Sequence, residues 1–200
     1  MELEYKWRIP KESLSVLAAF LHSHPGRLSQ DTLLMSAVYY DTPEQLAHQR
    51  GCALRLRREN DRTVCCMKRN IRKDGAQALR EEYEVEAETL SEGLKKLPDA
   101  GAPKDLCLFF SAQNFCVTAK TEFVRSCYLL SEDSPAHFTA EFAVDVGSLG
   151  NEQRMQKFEE LELEFKSGDT AAFQQFAEML QTRFALEPQP LSKYARAIRT

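Results

Sequence analysis

The segment Glu2-Leu3-Glu4-Tyr5-Lys6-Trp7-Arg8-Ile9 places a charged residue at every even position and an apolar one at every odd position. Side chains alternate across a β-strand, so a strand here puts Glu2, Glu4, Lys6 and Arg8 on one face and Leu3, Tyr5, Trp7 and Ile9 on the other. The same period of two recurs through the chain. It predicts strands over Glu2–Ile9, Ala53–Arg58, Thr63–Lys68, Arg80–Ala87, Phe115–Tyr128, Thr139–Val146 and Phe158–Lys166, with further strand around Leu33–Tyr40.

Helical spacing is rarer. Leu14, Leu17, Ala18 and Leu21 share one face of a helix over Lys11–His22. Asp169 is placed to cap a helix running to about Phe184, with Phe173, Phe176, Leu180 and Phe184 as its apolar stripe. Shorter helices are expected in Ser91–Leu97 and Lys104–Phe110. Gly101, Pro103, Gly147, Gly150, Pro188 and Pro190 punctuate the chain. No linker, internal repeat or low-complexity stretch divides it. The expectation is one mainly β domain over residues 1–200, a large antiparallel sheet decorated by helices.

Composition narrows the class. Of 200 residues, 43% are hydrophobic, enough for a core. No apolar run approaches the ~20 residues of a membrane span, and the opening residues lack a signal-peptide pattern. A cytoplasmic location is expected. The six cysteines form no C-x-x-C pair, so they read as free thiols packing as small apolar residues. The four histidines show no ligand spacing. A net charge of −4 gives no overall pull toward nucleic acid or membrane, and neither is expected as a partner.

The charges are sorted by strand. Arg55 and Arg57 share one face. Glu82, Glu84 and Glu86 share another, as do Glu141 with Asp145, and Glu160 with Glu162 and Glu164. Any one of these is explained by a solvated strand face. Like charges two residues apart repel, however, and their repetition costs stability unless a ligand neutralises them. Carboxylate pairs suit hard divalent cations, and an Arg pair suits phosphate. A polyphosphate with its metal ions needs both.

With these elements in order, the chain resembles the CYTH superfamily, the triphosphate tunnel metalloenzymes. Glu2-Leu3-Glu4-Tyr5-Lys6 matches its E-x-E-x-K signature, and Tyr39-Tyr40-Asp41-Thr42-Pro43 resembles its Y-[YF]-D-T-P element. Arg55-Leu56-Arg57, Lys68, Glu82-Tyr83-Glu84, Glu141 through Asp145, Glu162-Leu163-Glu164 and Ser192-Lys193 follow in the family's order. The resemblance implies an eight-stranded antiparallel closed barrel with peripheral helices and a charged tunnel. It implies Glu2, Glu4, Glu162 and Glu164 as ligands of Mg²⁺ or Mn²⁺. Lys6, Arg55, Arg57, Lys68, Arg125 and Lys193 would hold the phosphates. Lys68, Glu82 and Glu84 would serve catalysis, the two carboxylates lining an acidic wall at a second metal or around the attacking water. One departure concerns the sixth strand, where Lys120-Thr121-Glu122 stands in place of the usual K-x-R. Thr121-Glu122-Phe123-Val124-Arg125 matches a pattern of some bacterial triphosphatases, so Arg125 is taken as the phosphate ligand in preference to Lys120.

The implied reaction is hydrolysis of inorganic triphosphate by in-line attack of water. Thiamine-type members place a Trp before R-x-R, whereas this chain has Gly51-Cys52-Ala53. Cyclase-type members carry a His-Phe element upstream of the signature with which this sequence opens. Thiamine triphosphatase, class IV adenylate cyclase and a non-catalytic polyphosphate-binding module remain the alternatives. The expected partner is a small-molecule triphosphate, with the chain a monomer or homodimer.

Overall fold

The structure is a computed structural model that describes residues 3–74 and 77–200, with side chains described outside 70–80. Glu2 therefore lies outside the described residues. Among them are nine strands and six α-helices. The strands form one sheet in the order β5-β4-β3-β2-β6-β7-β8-β1-β9. The mainly β antiparallel character with peripheral helices is as expected. The count is nine rather than eight, and among the described residues the order ends at β5 and β9 without hydrogen-bonded closure. β9 is only Glu187–Pro188, and Pro188 has no N–H to extend a ladder.

The chain divides into two compact units. The first comprises residues 1–33, 123–148 and 156–192. Here β1 (Glu4–Arg8) pairs antiparallel with β8 (Met155–Gly168), setting Glu4 opposite Glu164, Lys6 opposite Glu162 and Arg8 opposite Glu160. Tyr5 opposite Leu163 and Trp7 opposite Leu161 form the other face. The alternation in the opening segment thus becomes a sheet with one charged and one apolar side. The apolar side is covered by α1 (Lys11–Ser23), through Leu17 and Leu21, and by α5 (Thr170–Arg183), through Phe173, Ala177 and Leu180. Trp7 is buried among them, stacked on Tyr5 with centroids 5.4 Å apart, and its Nε1 donates to Gln181 Oε1 at 2.9 Å. Asp169 caps α5 by accepting from Ala172 N at 2.7 Å, as its position predicts. Phe138 and Phe142 of β7 (Phe138–Gly150) and Tyr128 of β6 (Cys116–Glu132) complete this core.

The second unit comprises residues 34–122, 149–155 and 193–200. Its frame is the meander β3 (Cys52–Glu59), β4 (Arg62–Asp74) and β5 (Gln77–Glu86). Leu54, Met67 and Tyr83 align on one face, followed by Leu56, Cys65 and Val85. Against that face pack Leu90 and Leu94 of α3 (Leu90–Lys96) and Cys107 and Phe110 of α4 (Lys104–Ser111). Gly93 makes the approach possible, because a Cβ there would lie 2.2 Å from the Cys65 side chain. All six cysteines are free; Cys52, Cys65 and Cys107 are buried in this apolar cluster, in keeping with their reading as small apolar groups, whereas Cys66 is buried on the opposite face, across from Arg55.

Some elements differ from the sequence expectation. β2 runs over Arg27–Asp41. Its first half, Ser29-Gln30-Asp31-Thr32, is polar throughout and exposed, so no period of two marks it. The short helices α2 (Leu46–Gln49) and α6 (Lys193–Ala197) are less than two turns long, too short to display a helical stripe. Asp41 of the Tyr39–Pro43 element explains the first of them. Its buried carboxylate accepts from the backbone N–H of Thr42, Ala47 and His48 at 2.8, 2.8 and 3.0 Å, fixing the start of α2.

Candidate active site: two charged clusters

In the second unit the face opposite the core carries the predicted phosphate residues. The register aligns Arg55 with Cys66 and Cys66 with Glu84, and next to them Lys68 with Glu82. Arg55 Nη2 donates to Glu82 Oε1 at 3.1 Å and lies 3.5 Å from Glu84 Oε1. Arg57 Nη2 lies 3.1 Å from Glu84 Oε1, and its Nε lies 2.7 Å from Glu59 Oε1, an ion pair set off the hydrogen-bond direction. Lys68 Nζ is 2.7 Å from Glu82 Oε2. Three cations thus face three carboxylates, and the cluster is internally balanced.

Burial works against ionisation of Glu82, but the neighbouring Lys68, Cys66 and Arg55 outweigh it and pull its pKa down to about 2. A carboxylate held so low is a weak proton acceptor at neutral pH. Burial likewise opposes the charge on Arg55, yet Cys66, Tyr39 and Glu82 more than compensate and raise its pKa. Tyr39, the cross-strand partner of Arg55, hydrogen-bonds its side chain and stacks on Tyr194 of α6 at 4.8 Å and 23°. This stack anchors α6, which begins with the predicted residue Lys193. Arg55 Nε is buried and has no acceptor among the described residues. A buried donor left unmet costs about 1–3 kcal/mol, which an incoming anionic oxygen can recover.

The first unit has a different balance. Lys6 Nζ sits 3.2 Å from Glu4 and 3.7 Å from Glu162. Lys166 is 2.9 Å from Glu164 and 3.6 Å from Glu141. Arg125 grips Asp145 in a two-point fork, Nε to Oδ1 at 2.8 Å and Nη2 to Oδ2 at 2.7 Å, and Nη2 also donates to Glu162 Oε2 at 2.6 Å. Burial opposes the Arg125 charge, but the hydrogen bonds it donates to Asp145 and the charge of Glu162 raise its pKa. Carboxyl oxygens of Asp145, Glu160 and Glu162 lie within 4.8 Å of one another, and Asp145 and Glu160 are fully buried. Lys6, Lys166 and Arg125 are thus each shared between two carboxylates. Glu4 feels its neighbours: burial raises its pKa, Lys6 lowers it, and Glu162 and Glu164 push it up again.

Asp145, Glu160 and Glu162 could hold a divalent cation, which prefers carboxylate oxygen. Cys66, Glu82 and Glu84 of the second unit also bring three ligand atoms within 4.8 Å, but Arg55, Arg57 and Lys68 already neutralise those carboxylates. Of the predicted metal ligands, Glu4, Glu162 and Glu164 gather on one face of β1 and β8. Lys120, the alternative to Arg125, lies 3.9 Å from Glu152 instead, while Arg125 reaches the acidic cluster.

The family model of the CYTH domain matches residues 1–198, nearly the whole chain. The chain belongs to the CYTH family. Solved structures similar to this CYTH chain include a Hippeastrum adenylyl-cyclase candidate with a dominant triphosphatase activity. That protein is 17% identical with a TM-score of 0.63, the match covering 100% of this chain and 95% of the other. A Bacillus halodurans protein described as an adenylate cyclase candidate is 19% identical, TM-score 0.56, over 96% and 94% of the two chains. A Pyrococcus horikoshii protein is 15% identical, TM-score 0.56, over 100% and 99%. At these identities the likeness concerns the CYTH fold. Among the described residues no helix is long and apolar enough to cross a membrane.

The site choices from sequence omitted Asp145, Glu160, Cys66 and Tyr39. Glu160 continues the period of Glu162 and Glu164, and Asp145 that of Glu141, so both carried a signal. Cys66 shares the face of Lys68 by the same count. Tyr39 had no such mark, because its role depends on being paired across to Arg55.

Proposed function

We propose that this CYTH protein hydrolyses inorganic triphosphate to diphosphate and phosphate, with Mg²⁺ or Mn²⁺ as the required ion. The observation that carries the reading is the division of charge. The second unit offers guanidinium and ammonium groups held in place by carboxylates, and the first gathers Asp145, Glu160 and Glu162 with ligand oxygens within 4.8 Å of one another. Phosphate oxygens and a hard cation are the ligands that complete these two sets. The Hippeastrum relative has a dominant triphosphatase activity, which makes triphosphates the first substrates to test.

In this reading Arg55 and Arg57 bind phosphate oxygens through planar forks, and Lys68 supplies a compact charge to one oxygen. Lys6, Arg125 and Lys193 extend the cationic contacts. A divalent ion held by Glu4, Glu162 and Glu164 would neutralise phosphoryl charge and act as a Lewis acid. Asp145 and Glu160 would lie beside that ligand set. Glu82 keeps its proton off at neutral pH and serves to hold Lys68 and Arg55 in place, while Glu84 holds Arg57. Catalysis of phosphoryl transfer rests mainly on such positioning and charge stabilisation.

Inorganic triphosphate is favoured over a nucleotide or thiamine ester because Gly51-Cys52-Ala53 offers no ring before the Arg pair. The rings of Tyr39 and Tyr194 are stacked on each other. The test is phosphate release from inorganic, nucleoside and thiamine triphosphates with each metal, beside a cyclic-AMP assay. Preferred release from the inorganic compound is expected, and a dominant cyclic-AMP product would overturn the reading.

A further inference from the structure

Cys66 is the thiol on the charged face of the second unit that touches Glu82, the carboxylate that holds Lys68. It lies directly opposite Arg55 on β3 and Glu84 on β5. Its side chain is fully buried, and Sγ lies 3.1 Å from Glu82 Oε1. The same Oε1 accepts from Arg55 Nη2 at 3.1 Å, while Oε2 meets Lys68 Nζ at 2.7 Å. Glu82 is therefore held at three points, from β3 by Arg55 and from β4 by both Cys66 and Lys68. Only the contact from Cys66 is neutral. Phosphate can draw Arg55 or Lys68 away from Glu82, because each cation is itself a phosphate ligand. The thiol has no such competing attraction.

We propose that Cys66 is a positioning residue: its S–H donates to Glu82 Oε1 and keeps that carboxylate in place when Arg55 and Lys68 turn to the phosphates. Glu82 in turn sets where the Lys68 ammonium stands. This inference rests on the proposed triphosphatase reading for its catalytic consequence, and on the contact geometry for the hydrogen bond itself. Burial pushes the Cys66 thiol up to about 12, so it remains a protonated donor across the working range. A thiol in this state is a poor nucleophile, and no covalent step is assigned to it.

The experiment compares C66S, which keeps a donor, with C66V, which fills the space without one. Thermal melting of both checks folding, and isothermal titration with tripolyphosphate in a chelator measures binding without turnover. C66V is expected to lose roughly 10-fold in kcat, with KM changed by less than about 2-fold, and C66S to recover most of the loss. A misplaced Lys68 weakens transition-state contact more than ground-state binding, which produces that split. If C66S and C66V lose turnover equally, or C66V matches the wild type, the positioning role is overturned. If the wild type hydrolyses no triphosphate, the proposed function has failed, and the acid limb of thermal melting decides the hydrogen bond, because the thiol contact helps hold the Glu82 pKa down. A limb flatter in C66V than in C66S would then support the thiol contact, and equal limbs would overturn it.

Discussion

Two charged faces of this CYTH chain differ in one respect that matters more than their shared alternation. On β3, β4 and β5, the cations Arg55, Arg57 and Lys68 are matched by Glu59, Glu82 and Glu84. On β1, β7 and β8, with Arg125 from β6, Lys6, Lys166 and Arg125 each meet two carboxylates, and Asp145, Glu160 and Glu162 bring their oxygens within 4.8 Å of one another. The first face holds its cations pre-aimed without a ligand. The second brings carboxylate oxygens close enough together that a divalent ion could be held there. In the proposed reading the first face is a framework for anions and the second a seat for a metal.

The sharpest way to probe the balanced face is Lys68→Ala. Loss of one preorganised electrostatic contact costs on the order of 100- to 1000-fold in turnover. The variant is expected to retain tripolyphosphate binding through Arg55 and Arg57, as read by titration calorimetry. Near wild-type turnover would make Lys68 an ordinary strand-end lysine. Arg57→Ala should act more on the ground state, raising KM by roughly 10-fold, since a charged hydrogen bond contributes about 1.5–3 kcal/mol. A pure kcat effect there would show that the two Arg residues do not share the gripping role.

The comparison also predicts opposite responses to acid. Glu82 is held down to about 2, so its ionised form stabilises the fold above the ordinary carboxylate range. That contribution is lost as pH falls from about 4 toward 2. Glu4 is raised, so its contribution runs the other way, present at low pH and lost as pH rises through its folded-state value. Melting temperatures in chelator should show Glu82→Gln flattening the acid limb. Glu4→Gln should melt no lower than the wild type at neutral pH and gain less from added Mn²⁺. The Glu4 effect is the smallest of these, because its bridge to Lys6 at 3.2 Å is lost at the same time. A large drop for Glu4→Gln in chelator would mean that the acidic face is not crowded.

Much of this arrangement was legible in the residues. The even-numbered charges of β1 fixed its polar face, and the register against β8 brought Glu4 opposite Glu164 and Lys6 opposite Glu162. The stripe of Phe173, Phe176, Leu180 and Phe184 marked the core-facing side of α5 and its end. What stayed hidden depends on pairing across strands distant in sequence. Arg125 is 20 residues from Asp145 and 37 from Glu162, and no local period shows that its fork reaches both. Cys66 lay within a run that reads as apolar core, Val64-Cys65-Cys66-Met67. The count from Lys68 puts Cys66 on the charged face, but its contact with Glu82 depends on the pairing of β4 with β5. β9 and α6 were beyond reach because so few residues display no period.

The account stands most directly on one measurement: phosphate release from tripolyphosphate by metal-depleted protein titrated with Mg²⁺ or Mn²⁺, alongside Glu164→Gln. No release is expected before metal is added, with activity restored by the ion, and Glu164→Gln should need a higher metal concentration for the same rate. Hydrolysis that survives exhaustive chelation would contradict the assignment of the acidic face as a metal seat.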